Sequence, residues 1–180
     1  MADMAETSTN ADTPFWRFSL NFYRQAGVAE TCIALQDECG VDVNLMLFLL
    51  WLAANGRQLS VDNIKELDQA VHSWRDLTII PIREIRRKLK AASTLVEAGK
   101  QEAFRTKVKA VELEAERLQQ EALYARSRSG PRGSETPPSA AARASLAAYE
   151  HLLGTRFPKP AVDSLASAFD AIKCEDFAAP

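Results

Sequence analysis

The chain is predicted to be all-α, a helical bundle around one fully apolar central helix with a C-terminal helical extension. Its seven glycines (27, 40, 56, 99, 130, 133 and 154) all fall between apolar stretches of helical spacing, and most of its eight prolines stand at the starts of such stretches or in linkers. No run of alternating β-branched residues competes with that punctuation. At 180 residues and 47% hydrophobic content the chain can build a core without staples.

Thr13-Pro14 has the form of a cap followed by proline at the first helical position, opening a helix through Phe15, Phe18, Leu20, Phe22 and Tyr23 that Gly27 ends. Val28, Cys32, Leu35 and Cys39 form the stripe of a second helix, and Gly40 closes it as a left-handed cap. Asp42 then caps a third helix over 43–55. Its run Leu45-Met46-Leu47-Phe48-Leu49-Leu50-Trp51-Leu52-Ala53-Ala54 is apolar on every side. Ten residues at about 1.5 Å each reach only half of a bilayer core, so the expectation is a buried central helix and not an integral membrane protein.

Ser60 opens a fourth helix, with Val61, Ile64, Leu67, Val71 and Trp74 facing inward to about Leu77, and Pro81 is expected to break the chain before the fifth. From Ile82 an apolar stripe of alternating three and four (Ile82, Ile85, Leu89, Ala92, Val96) resumes out of register after Gly99 as Phe104, Val108, Val111, Ala115, Leu118 and Ala122. This is a narrow seam of coiled-coil type on a helical hairpin or one kinked helix. Beyond it lie a linker rich in Ser, Gly and Pro, an Ala-rich helix over 140–153 and a shorter one over 162–173. The predicted organisation is a disordered acidic tail over 1–13, a bundle domain over 14–126, a flexible linker over 127–139 and a C-terminal extension over 140–180.

Net charge is only −2, but its distribution is uneven. Residues 1–82 carry 5 basic and 11 acidic side chains, residues 83–133 carry 13 and 7, and residues 134–180 carry 4 and 6. The middle of the chain is therefore the part suited to an acidic partner. Cys32 and Cys39, about 10 Å apart along a helix, are too far apart to bridge. Reduced thiols, and a start without a secretory pattern, predict a cytoplasmic protein.

Only two histidines are present, in no metal-ligand pattern, and there is no Ser-His-Asp elbow, phosphate loop or dinucleotide fingerprint. No cofactor is expected, and the balance leans away from an enzyme. Asp68, His72 and Asp76, four apart on one helix face, are a weak candidate for a metal or a proton shuttle, against the plainer reading of a solvated face. Gln36, Asp37, Asp42 and Asn44 crowd the turn beside the most apolar helix. Polar groups there must be hydrogen-bonded, so they brace the turn or line a polar ligand site. Arg83, Arg86, Arg87, Lys88 and Lys90, followed by Lys100, Arg105, Lys107 and Lys109, form a basic face for an acidic protein surface or for phosphates. Stacking aromatics are missing among them.

The segment Leu35-Gln36-Asp37 through Asp42-Val43-Asn44-Leu45, together with Phe15-Trp16-Arg17-Phe18-Ser19-Leu20-x-Phe22-Tyr23 and the Leu-rich helix, resembles an uncharacterised bacterial family, domain of unknown function 2390. The resemblance covers roughly residues 15–125. It implies a bacterial origin and brings no activity or catalytic residues. The leading expectation is a non-catalytic interaction or adaptor module working through the basic face, interaction residues Arg83, Arg86, Arg87, Lys88, Lys90 and Lys107, with homo-dimerisation through 102–125 as a further reading. The alternatives are a ligand-binding or catalytic role at 36–44, and nucleic-acid binding through 83–109.

Overall fold

The computed structural model describes residues 13–128, 133–172 and 174–177, without the side chains of 174 and 175. Nearly all of the expected acidic tail, residues 1–12, and the 129–132 part of the expected linker lie outside them. The architecture is all-α with one minimal ladder. In order come α1 (Pro14–Tyr23), α2 (Val28–Cys39), α3 (Val43–Ala54), β1 (Arg57–Gln58), α4 (Val61–Trp74), a π-turn (Arg75–Ile79), α5 (Ile80–Lys88), α6 (Ala98–Ser127), β2 (Ser134–Glu135), α7 (Pro138–Leu153), α8 (Lys159–Asp170) and a short 3-10 turn (Cys174–Phe177).

Local chemistry explains most boundaries. Trp16 N–H donates to Thr13 Oγ1 (3.0 Å), Leu45 N–H to Asp42 Oδ1 (3.2 Å) and Asn63 N–H to Ser60 Oγ (3.2 Å), so the three expected caps satisfy helix-start amides that lack intrahelical partners. Gly40 closes α2 at φ +70°, a conformation that costs a residue without a Cβ least.

α3 is the hub: every residue from Asn44 to Ala54 is buried. Phe15, Phe48 and Trp51 form an aromatic cluster on it, with Phe15 and Phe48 edge to face at 5.1 Å. Trp51 Nε1–H donates to the carbonyl of Phe177 (3.0 Å), which ties the 3-10 turn to the same cluster. Among the described residues no helix is long and apolar enough to cross a membrane.

Four features differ from expectation. Helical hydrogen bonding continues past Pro81 because the preceding turn widens: Ile80 N–H reaches back to Arg75 O in a π-turn, which makes room for a proline that has no amide to give. The hairpin reading of 82–125 holds, but the seam does not pack as drawn. Ala115 is buried, whereas Phe104, Val111 and Leu118 are about half exposed, and α6 instead buries Gln101, Glu112, Gln119, Gln120 and Leu123. The C-terminal helices dock into the common core: α7 packs more extensively on α3 than any other element does, and Ala141, Ala142, Leu146, Tyr149, Phe157, Leu165 and Phe169 are buried there. Finally, Ser134–Glu135 pairs antiparallel with Arg57–Gln58, so that stretch of the expected linker is held. Gly133 permits the approach at φ +80°, where a Cβ would overlap Gln58 O.

Candidate functional site

A groove of about 840 Å³ opens between α1, α2, the start of α3, α5 and α6. Each wall is one helical stripe. α1 supplies Trp16, Ser19, Leu20 and Tyr23, α2 supplies Ile33, Gln36 and Asp37, and α3 supplies Val43, Asn44 and Leu47. α5 supplies Arg83, Arg86 and Arg87, the turn after it Lys90, and α6 supplies Lys109, Glu112, Leu113, Glu116 and Gln120. These spacings of three and four put each set on one face of its helix. Six cationic side chains, counting Arg24, meet three acidic ones, a surplus of three positive charges facing an aromatic and aliphatic wall.

The arginines are held in place. Glu112, 5% exposed, accepts from Arg83 Nε (2.9 Å) and from both Arg86 Nη2 (3.1 Å) and Nε. Burial opposes ionisation of Glu112, but these two guanidiniums outweigh it and hold its carboxyl below the usual range. Glu116, bonded to Arg83 Nη2 at 2.6 Å, is pushed the other way by burial. Arg87 donates to Asp37 Oδ1 (2.6 Å), which lowers that carboxyl's pKa. On the floor, Gln120 Nε2 donates to Asn44 Oδ1 (2.9 Å), while Gln120 Oε1 and Ser19 Oγ, both buried, have no partner. Unpaired buried polar atoms are costly, and the groove is where a ligand could satisfy them.

Of the residues singled out in the sequence, Gln36, Asp37 and Asn44 from the 36–44 turn and Arg83, Arg86, Arg87 and Lys90 from the basic face line this one groove. Asp42 does not. It sits behind, 7% exposed, with Oδ2 accepting from Gln119 Nε2 (2.6 Å) and Arg75 Nη1 (3.1 Å), and its amide donating to Tyr149 OH (3.0 Å). Lys88 and Lys107 are exposed outside the groove. Arg86, one of the residues of the expected basic face, is only 21% exposed and locked on Glu112, so reversing its charge would strain the hairpin. The Asp68, His72, Asp76 set surrounds the Arg75 guanidinium, which bonds Asp68 Oδ1 (2.7 Å) and approaches His72 Nδ1 (3.0 Å). A fixed cation already occupies the place of a metal, and among the described residues no group of three or more His, Cys, Asp or Glu could hold one.

Sequence reasoning missed the α1 wall and the acidic pair Glu112 and Glu116. The signal for the wall was present: α1 carries two rows, with Phe15, Phe18, Ser19 and Phe22 buried and Trp16, Leu20 and Tyr23 reaching the groove.

The fold and the groove together define an all-α protein with an amphipathic, positively biased cleft between a small bundle and a helical hairpin. Residues 14–123 match the model of a family described as a protein of unknown function, DUF2390, and the chain belongs to that family. No curated protein and no solved structure matches the chain. The matched residues contain every residue that lines the groove, whereas α7 and α8 lie beyond them.

Proposed function

We propose that the protein is a non-catalytic interaction module whose groove receives an acidic, amphipathic segment of a partner protein. One observation carries this reading: an apolar row from α1 and an arginine row from α5 face the same cleft. An amphipathic helix laid in such a groove buries its apolar residues against Trp16, Leu20 and Tyr23 and presents carboxylates to Arg87, Lys90 and Lys109. The volume lies in the range of small-ligand sites as well. The unpaired Ser19 Oγ and Gln120 Oε1 therefore support a second reading, a compact ligand with its own hydrogen-bonding group on the groove floor.

The test is selection from a peptide-display library on the purified protein, followed by titration of the enriched peptides. Enriched sequences should alternate acidic residues with apolar ones at helical spacing. Leu20→Asp and the pair Arg87→Glu/Lys90→Glu should each weaken binding at least tenfold, about 1.4 kcal/mol, with an on-rate that falls as salt rises. No enrichment, or affinity indifferent to both variants, refutes the docking reading. In a parallel arm, log affinity for unrelated oligonucleotides that falls linearly with log salt would move the function to nucleic acid.

A further inference from the structure

The flank of α6 turned away from the groove carries a regular pattern of its own. Phe104, Val111 and Leu118 recur every seven residues and are 56%, 56% and 40% exposed. Beside them, again every seven residues, stand Lys100, Lys107, Glu114 and Glu121. In a heptad frame the apolar residues occupy one core position and the charged ones its neighbouring flank position, while the other core row, Val108, Ala115 and Ala122, is at least partly covered within the chain. Half of a coiled-coil seam is thus used internally and half is open.

The charge order identifies the occupant. It runs two lysines, then two glutamates, and reverses sign about Val111. An identical helix packed antiparallel about a two-fold axis at Val111 sets Phe104 of one copy against Leu118 of the other and Val111 against Val111. The same register brings Lys107 beside Glu114 and Lys100 beside Glu121, twice over by symmetry. A parallel pairing would instead turn this flank toward the partner's other side, where Val108, Ala115 and Ala122 are already at least partly covered within the chain, and would leave the lysines and glutamates without opposite charges to meet. Self-complementarity under a two-fold axis is the requirement of an isologous dimer. Arg117 donates to Glu114 (2.7 and 3.0 Å) and to Glu121, which holds both carboxylates on the flank and leaves them lone pairs for a lysine.

We infer that the chain forms an antiparallel homodimer through the Phe104, Val111, Leu118 face of α6, leaving both grooves open. Light scattering on the full chain over a wide concentration range should give twice the 19.9 kDa chain mass. Val111→Lys should return it to the monomer with unchanged helical circular dichroism, since the side chain is already half exposed. Lys100→Glu/Lys107→Glu and Glu114→Lys/Glu121→Lys should each be monomeric alone and form a heterodimer when mixed. Val111→Cys should cross-link to itself under mild oxidation, against a wild-type control. A wild type that stays monomeric throughout, or a dimer that survives Val111→Lys and both charge variants, overturns the inference.

Discussion

Replacing Asp42 by alanine tests the centre of the fold, and its cost can be built from the contacts. The cap on Leu45 is worth about 1 kcal/mol. The Gln119 amide, 1% exposed, loses its carboxylate acceptor, and an unsatisfied buried donor costs about 1–3 kcal/mol. Arg75 keeps Asp68 at 2.7 Å, so its charge is not stranded and adds little. The expected loss is about 3 kcal/mol, which for a domain of this size lowers Tm by about 6–12 °C. Asp42→Asn separates the parts, because its amide oxygen can still cap Leu45 while its NH2 meets the donors of Gln119 and Arg75. Urea and thermal unfolding followed by circular dichroism, with Gln119→Ala completing a double-mutant cycle, measure the coupling. A loss of no more than 1 kcal/mol from Asp42→Ala, or a coupling near zero with Gln119, would show that Asp42 is only a cap.

Two further outcomes follow from the hairpin and the C-terminal helices. Glu112 has a lowered native pKa, so its contribution is complete above the ordinary value of 4.5 and is lost as pH falls through the native value; Glu116, raised by burial, has the opposite sign, its contribution being lost as pH rises through its native value. Glu112→Gln should therefore flatten the fall of Tm with acidification, and an unchanged slope would refute the role given to the Arg83 and Arg86 pairs. Trypsin should cut after the exposed Arg128, yet the two pieces should co-elute on gel filtration because α7 and α8 share the core; release of a free N-terminal fragment would contradict that packing.

The helix boundaries that were legible from the sequence are those set by local chemistry. Thr13, Gly40, Asp42 and Ser60 act on amides or carbonyls within a few residues, so their meaning survives without knowledge of the fold. Apolar spacing alone does not say which row of α6 meets a neighbour, so the seam it predicts is not the one that packs. Here the facing surface is made of Arg83 and Arg86, and a row containing Glu112 suits it better than Val111 does. The Ala-rich α7 reads as part of an extension because residue hydropathy gives little weight to closeness. Ala141, Ala142 and Ser145 let it come close to α3, and contact depends on that closeness as much as on side-chain size. The groove itself joins residues from Trp16 to Gln120, and in the sequence its two halves are separate features, a polar turn and a basic helix. Their meeting depends on the crossing of helices far apart in the chain, which no spacing rule encodes.

The docking of α7 on α3 also has a consequence for synthesis. Residues 43–54 leave the ribosome well before residues 138–153, and at about 5–20 residues per second the interval is roughly 5–20 s. Through that time the most apolar helix of the chain exists without its largest covering surface, and Asp42 without the Tyr149 hydroxyl that meets its amide. Nascent chains must therefore pass through a window in which α3 is sheltered only by elements made before α7, namely α1, α2 and then α6, or by a chaperone, and the docking of α7 is what ends it.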